Sequence, residues 1–130
     1  MNNIDYSKFI VTREFLRKNP DHIFVFGDNL VHNGYGGAAS LRDEPNTYGF
    51  ITKKRPSNHD SSFYKPHEYH SVFYKEIDYL NDEISSNPDK IYLISKLGAG
   101  LANKFQIWEV IIEPYLKQLL SGYSNVKFLF

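Results

Sequence analysis

Two glycine-rich segments, each placed after a short apolar run, are the features of this sequence that could do chemistry. Ile23–Phe26 is an unbroken apolar run typical of a buried strand, and Gly34–Ala39 follows it after a turn. Ile91–Ser95 is a second run of this kind, and Gly98–Ala102 follows it. Backbone N–H groups in a glycine loop after a strand can hold a phosphate. Two such loops in one small domain predict a cleft for a diphosphate.

Neither loop matches a known phosphate-binding signature on its own. Neither contains the Gly-Lys-Ser/Thr ending of a P-loop. Gly34, Gly36 and Gly37 form the pattern G-x-G-G. No glycine follows three residues after Gly36, as the dinucleotide fingerprint G-x-G-x-x-G requires. A single glycine loop is also compatible with a tight turn, because glycine adopts positive φ freely. The presence of both loops after apolar strands favours the phosphate cleft.

Polar side chains flank these loops and the strand between them. Asn29, next to Asp28, could form a turn with its own backbone or bind a ligand hydroxyl with its carboxamide. Lys53, Lys54 and Arg55 end a predicted strand, where three cations could neutralise a diphosphate or one lysine could act as a nucleophile. A solvated charge run is the alternative. Both interpretations also apply to Lys96, beside the second loop.

Composition excludes several other classes of function. The 130 residues fit one domain, and 15 basic residues balance 15 acidic ones, so general nucleic-acid binding is not expected. Without cysteine, disulfides and thiolate metal sites are excluded. Met1–Asp5 lacks a signal-peptide pattern, and no apolar run is long enough to span a bilayer. We therefore expect a cytoplasmic monomer that does not bind membranes.

Histidine and serine patterns predict no further centre. His59, His67 and His70 lack a metal-binding spacing, so we predict neither a metal site nor a cofactor. Ser61 and Ser62 lack the surroundings of a nucleophile elbow, which argues against a serine hydrolase.

Strand and helix patterns alternate along the chain. Helices are predicted over Arg13–Lys18, Gly37–Arg42, Ser71–Ser86 and Ile107–Leu120. Pro114 should bend the last one or delay its regular start, and Gly122 should cap it. Further strands are predicted over Thr47–Thr52 and Val126–Phe130. Phe73, Ile77, Leu80 and Ile84 share one helical face, and Trp108, Ile112, Leu116 and Leu119 share another. This alternation predicts a single α/β domain over residues 1–130, a compact three-layer α/β/α sandwich with a mostly parallel mixed sheet. In such sheets, ligands bind at the carboxyl ends of the strands, where both glycine loops lie.

A long polar segment, Lys53–His70, leaves the sheet at the same edge. It contains Phe63, Tyr64 and Tyr69, which is unusual for a solvated loop. We predict a lid that folds over the cleft and places at least one ring against a ligand. The alternative is that these rings are buried in the domain.

The sequence resembles the macrodomain superfamily from Ile23 to Phe130. The resemblance rests on four segments. The first half contributes I-F-V-F-G-D-N-L-V-H-N-G-Y-G-G-A-A, and the second half contributes Y-G-F-I-T-K-K-R-P-S-N-H, L-G-A-G-L and W-E-V. The second half is most similar to the branch of the terminal ADP-ribose protein glycohydrolase. The chain also resembles bacterial and phage macrodomain-like proteins that share the G-D-N-L, G-G-x-A, R-x-E-P-N and T-K pattern.

The resemblance implies an ADP-ribose-type ligand, with Asn29 at the distal ribose and the diphosphate between the two loops. In the glycohydrolase branch a lysine of the T-K-K stretch attacks the anomeric carbon. Lys53 and Lys54 occupy that stretch in this sequence. The assisting aspartate of that branch corresponds to Ala102 or Asn103, so the resemblance supports a nucleotide pocket more than catalysis. The expected catalytic residues are Asn29, Lys53 and Lys54; the expected ligand-binding residues are Asp28, Asn29, Gly34, Gly36, Gly37, Ala38, Ala39, Gly98, Ala99, Gly100, Leu101 and Ala102.

Three functions remain open at this point. The domain could bind free ADP-ribose or an ADP-ribosylated macromolecule as a reader or sequestering protein. It could instead be a hydrolase that removes ADP-ribose by means of Lys53, Lys54 and Asn29. It could also be an interaction module without nucleotide affinity, in which the glycine loops are only turns.

Overall fold

The computed structural model describes residues 4–130, in which strands and helices alternate. Met1–Asn3, part of the segment that argued against a signal peptide, lie outside this range. No helix within the described range is long and apolar enough to cross a membrane. The elements are α1 (Arg13–Lys18), β1 (His22–Asn29), β2 (Thr47–Lys53), α2 (Pro66–Ser85), β3 (Ile91–Ile94), α3 (Leu116–Leu120) and β4 (Val126–Phe128), with short 3₁₀ turns at Tyr6–Lys8, Gly37–Leu41, Asp60–Ser62 and Asn103–Phe105.

The four strands form one parallel sheet in the order β2-β1-β3-β4. β1 lies inside the sheet, where Phe24 pairs with Thr47 on one side and Leu93 on the other. An isolated antiparallel bridge joins Lys53 to Phe63 beyond the end of β2. The predicted α/β fold with a mostly parallel sheet is therefore confirmed.

Alternating side chains of β1 reach two separate apolar cores. Ile23 and Val25 pack in the larger core, which α2 and α3 cover. Phe24 and Phe26 pack on the opposite face of the sheet, against α1 and the turn at Gly37–Leu41. Since helices cover both faces, a strand without polar alternation is buried on both sides. The arrangement is a three-layer α/β/α sandwich.

Helix α2 has the predicted apolar face but begins earlier than predicted. Phe73, Ile77, Leu80 and Ile84 are all buried. The helix starts at Pro66 rather than near Ser71 because proline fits the first helical position and the Glu68 side chain accepts a hydrogen bond from the Lys65 N–H at 3.1 Å.

The predicted helix Ile107–Leu120 is interrupted. A π-helical turn, Trp108–Ile112, precedes α3, and the Glu113 N–H donates to the Trp108 carbonyl at 2.7 Å. Pro114 follows and has no N–H to continue the helix, so the chain restarts at Leu116. Leu119 is half-buried, whereas Leu120 is fully buried, and Ser121 rather than Gly122 ends the helix.

Candidate functional site

The connections that leave β1 and β3 lie on opposite faces of the sheet, and a cavity opens between them. After β1 the chain forms the turn that packs Ala39 beside Phe24, on the α1 face. After β3 it reaches Trp108, which packs on the α2 face. Diverging connections from adjacent parallel strands create a crevice at the carboxyl edge of the sheet, where α/β proteins bind ligands.

The cavity has a volume of about 320 Å³ and is bounded by both glycine loops. It brings together all of the predicted site residues except Lys54 and Ala99. Five lining residues were not among the predicted site residues, although Lys96 had been considered beside the second loop. The lining consists of Gly27, Asp28, Asn29, Asn33, Gly34, Gly36, Gly37, Ala38, Ala39, Thr52, Lys53, Pro56, Lys96, Gly98, Gly100, Leu101 and Ala102.

Asn29 holds the first loop in shape. Its Oδ1 accepts a hydrogen bond from the Val31 N–H at 3.0 Å, and its Nδ2 donates to the Asn33 carbonyl at 2.7 Å. Both ends of the carboxamide are thus engaged in the turn expected as the first alternative. One further proton on Nδ2 and one lone pair on Oδ1 stay available for a ligand, because a carboxamide can form four hydrogen bonds.

The Asp28 carboxylate is buried beneath this loop and is paired with two basic side chains. It lies 2.6 Å from the Arg42 guanidinium and 2.9 Å from His32 Nδ1, and it accepts from the Asn29 N–H at 2.7 Å. Burial raises the pKa of Asp28, but the bonds from Arg42, His32 and the Asn29 N–H outweigh burial and lower the pKa overall. Asp28 is therefore an ionised anchor of the loop.

Arg42 is a structural residue of the site that the sequence analysis did not find. Its Nε donates to the Gly34 carbonyl at 2.7 Å, and a terminal nitrogen donates to the Asn33 carbonyl at 3.2 Å. The guanidinium also lies over the Phe26 ring, 5.3 Å from its centroid. The sequence signal for it was the arginine of the R-x-E-P-N pattern after the glycine loop, which by itself also fits a solvated side chain.

The two loops approach each other across the cavity. Gly34 and Gly37 have φ values of +93° and +56°. A Cβ at Gly37 would lie 3.0 Å from Leu101 Cδ1, so Leu101 from the second loop reaches the first. In the second loop, Gly98 has φ +80°, and its Cβ would lie 2.6 Å from Ile112 Cδ1. Glycine is required at Gly98 by both its conformation and its packing.

Three backbone N–H groups in each glycine loop are available as hydrogen-bond donors at the cavity. In the described part of the chain, these N–H groups donate no hydrogen bond to another residue. N–H groups that line a cavity without a protein acceptor can bind an anion. The donors are those of Gly36, Gly37 and Ala38 in the first loop and of Gly98, Gly100 and Leu101 in the second.

Lys53 and Lys96 give the cavity a positive charge. Within residues 4–130, neither ammonium group has a carboxylate within 4.0 Å. Lys53 is buried, its Nζ donates to the Ser57 carbonyl at 3.2 Å, and it lies 4.6 Å from the Phe63 ring centroid. Burial lowers the pKa of Lys53. Lys96 Nζ lies 5.4 Å from the Trp108 ring centroid.

Lys54 lies outside the cavity lining, contrary to the prediction that it faces the cleft. Successive side chains of a strand point to opposite faces, so Lys53 and Lys54 diverge. Lys54 Nζ pairs with the Glu68 carboxylate at 2.9 Å and lies 5.2 Å from the Tyr64 ring centroid.

The three aromatic rings after β2 are buried in the domain, so the prediction that one of them lines the cleft is wrong. Tyr64 and Tyr69 belong to the larger core, and the Tyr69 hydroxyl donates to the Ile51 carbonyl. Phe63 packs edge-on against Phe105 at a centroid distance of 6.4 Å. From this segment, the cavity lining includes Pro56 instead.

The model of a protein family described as "Family of unknown function (DUF7831)" matches residues 6–103. The chain belongs to this family, and the match includes every residue that lines the cavity. No curated protein and no solved structure matches the chain.

Proposed function

We propose that this protein binds ADP-ribose or a related NAD-derived nucleotide, free or attached to a macromolecule, as a reader or sequestering protein. The observation that carries the proposal is that Lys53 and Lys96 line the same cavity as two glycine loops with N–H groups that have no acceptor within residues 4–130. A diphosphate is the ligand group that uses two cations and two sets of backbone donors together. The nucleoside part rests on the macrodomain resemblance of the same loops.

The charges around the cavity support binding more than turnover. Asp28 is the one acidic residue among the lining residues, and it is paired with Arg42 and His32. Asn103, near the position of the assisting aspartate, donates to the Glu109 carboxylate at 2.8 Å and accepts from the Trp108 N–H at 2.9 Å. A general acid or base would have to come from another group.

Calorimetry with ADP-ribose, NAD and cyclic ADP-ribose tests the proposal. Lys53→Met should weaken ADP-ribose binding by about tenfold or more, because a charge-assisted hydrogen bond contributes about 1.5–3 kcal/mol. Lys54→Met is the matched control, since Lys54 lies next in the chain but pairs with Glu68, and it should leave the affinity unchanged. Absence of binding to all three nucleotides at millimolar concentration would leave an interaction module without nucleotide affinity.

Gly36→Val tests whether the ligand approaches the first loop closely. Gly36 has an ordinary φ of −78°, and its added Cβ would lie 3.7 Å from Leu101 Cδ1, so the backbone tolerates a side chain. The substitution should abolish binding without loss of stability, because the side chain would occupy the space over the loop N–H groups. Gly37 is a less specific probe, since its φ of +56° makes any substitution strained.

A hydrolase that uses Lys53 is the second candidate. Burial lowers the pKa of Lys53, which increases the fraction of neutral amine that can attack the anomeric carbon. In that reaction the neutral amine forms a bond to the anomeric carbon while the bond to the leaving group breaks and the leaving group takes up a proton; water then cleaves the lysine–carbon bond, which releases ADP-ribose and restores Lys53. Mass analysis of ADP-ribosylated substrates incubated with the protein detects it: turnover that Lys53→Met abolishes and Lys54→Met preserves supports the hydrolase, and absence of turnover leaves the binding function.

A further inference from the structure

A second pocket, beside the outer edge of β2, is lined mainly by tyrosine and aliphatic side chains. Its volume is about 480 Å³, and we call it the tyrosine pocket. It lies between the edge strand and helix α2, so it is separate from the cavity between the glycine loops. Its principal side chains are those of Tyr48, Ile51, Tyr64, Val72, Glu76 and Tyr79.

Glu76 places a half-buried carboxylate in this pocket without a cationic partner. One oxygen, Oε1, accepts a hydrogen bond from the Ile51 N–H at 2.7 Å. Within residues 4–130, no lysine, arginine or histidine nitrogen lies within 4.0 Å of the carboxylate. Burial raises the pKa of Glu76 in spite of the Ile51 bond. A cation bound beside this carboxylate would offset the cost of burying its charge.

The remaining charged groups around the pocket leave room for a positive ligand. Lys75 lies on the rim but is exposed. His32 also lines the pocket, and its Nδ1 is engaged by Asp28 at 2.9 Å. Burial, and after it the nearby Glu76 carboxylate, raises the pKa of the Tyr48 hydroxyl to about 12. Among the described residues, neither Lys75 nor His32 lies within 4.0 Å of the Glu76 carboxylate, so the space beside it is open to a positive ligand.

The tyrosine rings supply flat apolar surfaces of the kind on which a guanidinium stacks. Tyr48 is half-buried and Tyr79 is 51% exposed, so both rings are accessible from solvent. The Tyr64 ring already contacts one cation, since Lys54 Nζ lies 5.2 Å from its centroid. A planar guanidinium can stack on tyrosine while it donates to a carboxylate, which a compact ammonium does less well.

We propose that the tyrosine pocket binds an arginine side chain of a partner protein. Charge complementarity with Glu76 selects the cation, and the rings select its planar form. The polypeptide source follows from Leu30, a lining residue that is 54% exposed and can pack against residues that flank the arginine. This inference does not depend on nucleotide binding in the other cavity.

Binding of a short acetylated peptide with one arginine between two leucines, followed by NMR and calorimetry, tests the proposal. The same peptide with citrulline keeps the shape but lacks the charge, and it should bind about tenfold more weakly. Arginine amide lacks the flanking residues and should also bind more weakly. Equal binding of citrulline would overturn the recognition of a cation, and equal binding of arginine amide would overturn the protein partner.

Variants on α2 locate the effect. Glu76→Gln keeps the acceptor for the Ile51 N–H but removes the charge, so peptide affinity should fall about tenfold. Lys75→Gln should raise it, and Asp78→Asn, on an exposed part of the same helix, should leave it unchanged. Tyr79→Ala removes a ring that is 51% exposed and should also weaken binding. Unchanged affinity in both Glu76→Gln and Tyr79→Ala would overturn the proposal, whereas Lys53→Met should affect nucleotide binding alone.

Discussion

The buried Asp28 carboxylate fixes the first glycine loop through its bonds to Arg42, His32 and the Asn29 N–H. Asp28→Asn would leave the Arg42 guanidinium without its counter-charge in a largely buried position. We expect a loss of about 3 kcal/mol in the free energy of unfolding, the usual cost of breaking a buried ion pair. Urea denaturation of both proteins at neutral pH measures it, with Asp78→Asn as an exposed control. A loss below about 1 kcal/mol would show that the loop holds without the charge.

The same pair makes stability depend on pH with a defined sign. The pKa of Asp28 is lower in the folded protein than its ordinary value. Its contribution is therefore complete above the pKa of the unfolded carboxyl and is lost as the pH falls through the folded value. The free energy of unfolding should fall more steeply with acid in the wild type than in Asp28→Asn. Parallel pH curves for the two proteins would contradict this prediction.

Gly98 and Gly100 in the second loop should differ sharply in their tolerance of alanine. At Gly98 the new Cβ would overlap Ile112 Cδ1 at 2.6 Å, and the backbone has positive φ. At Gly100 the Cβ would meet nothing within 4 Å. Gly98→Ala should cost about 2 kcal/mol and Gly100→Ala close to nothing. Thermal unfolding of the two variants compares them, and similar midpoints would mean that Ile112 and the loop rearrange without cost.

Single residues of the site were only partly predictable from the sequence. Asn29 and the glycines could be assigned because a loop that directly follows a buried parallel strand lies at the carboxyl edge of the sheet, where ligands bind. Lys53 and Lys54 could not be distinguished, since a shift of one residue in the end of β2 exchanges the two faces. Arg42 was missed because its three acceptors are brought together only by the fold of the loop.

At the level of elements, the start of α2 depends on Glu68. Its carboxylate accepts from the Lys65 N–H and pairs with Lys54 near the surface. Glu68→Ala should lower the free energy of unfolding by about 1 kcal/mol, because an N-terminal N–H loses its acceptor. Glu68→Gln keeps that acceptor and loses only a partly exposed ion pair, so it should cost less than about 0.5 kcal/mol. Equal losses in urea denaturation would assign the effect to the ion pair instead.

The elements were predicted best where the signal was local and periodic. β1 and the apolar face of α2 could be predicted from spacing alone, because one strand or helix face determines them. The first turn of α2 was interpreted as loop because Pro66 and His67 resemble turn residues when the role of Glu68 is overlooked. The π-helical turn before Pro114 is set by packing of Trp108 and Ile112 in the core, which no short pattern specifies.

For the whole molecule, protection from hydrogen exchange should follow the layers of the sandwich. β1 and β3 are central in the sheet, and both faces of β1 are covered. Their amides should exchange most slowly, by global unfolding, whereas loop amides at 31–38 and 98–102 should exchange faster by local opening. Mass spectrometry of exchange without ligand measures the difference. Equal protection of the loops and β1 would contradict it.

The two walls of the cavity come from distant parts of the chain, with Asn29–Ala39 on one side and Lys96–Ala102 on the other. During synthesis the first wall leaves the ribosome well before the second, and the opposing surface exists only once β3 has paired with β1. Any ligand that spans both walls therefore binds only the completed sheet and not an N-terminal fragment. Such a ligand would stabilise the whole domain rather than one loop, and its presence in the cell would favour nascent chains that have finished folding.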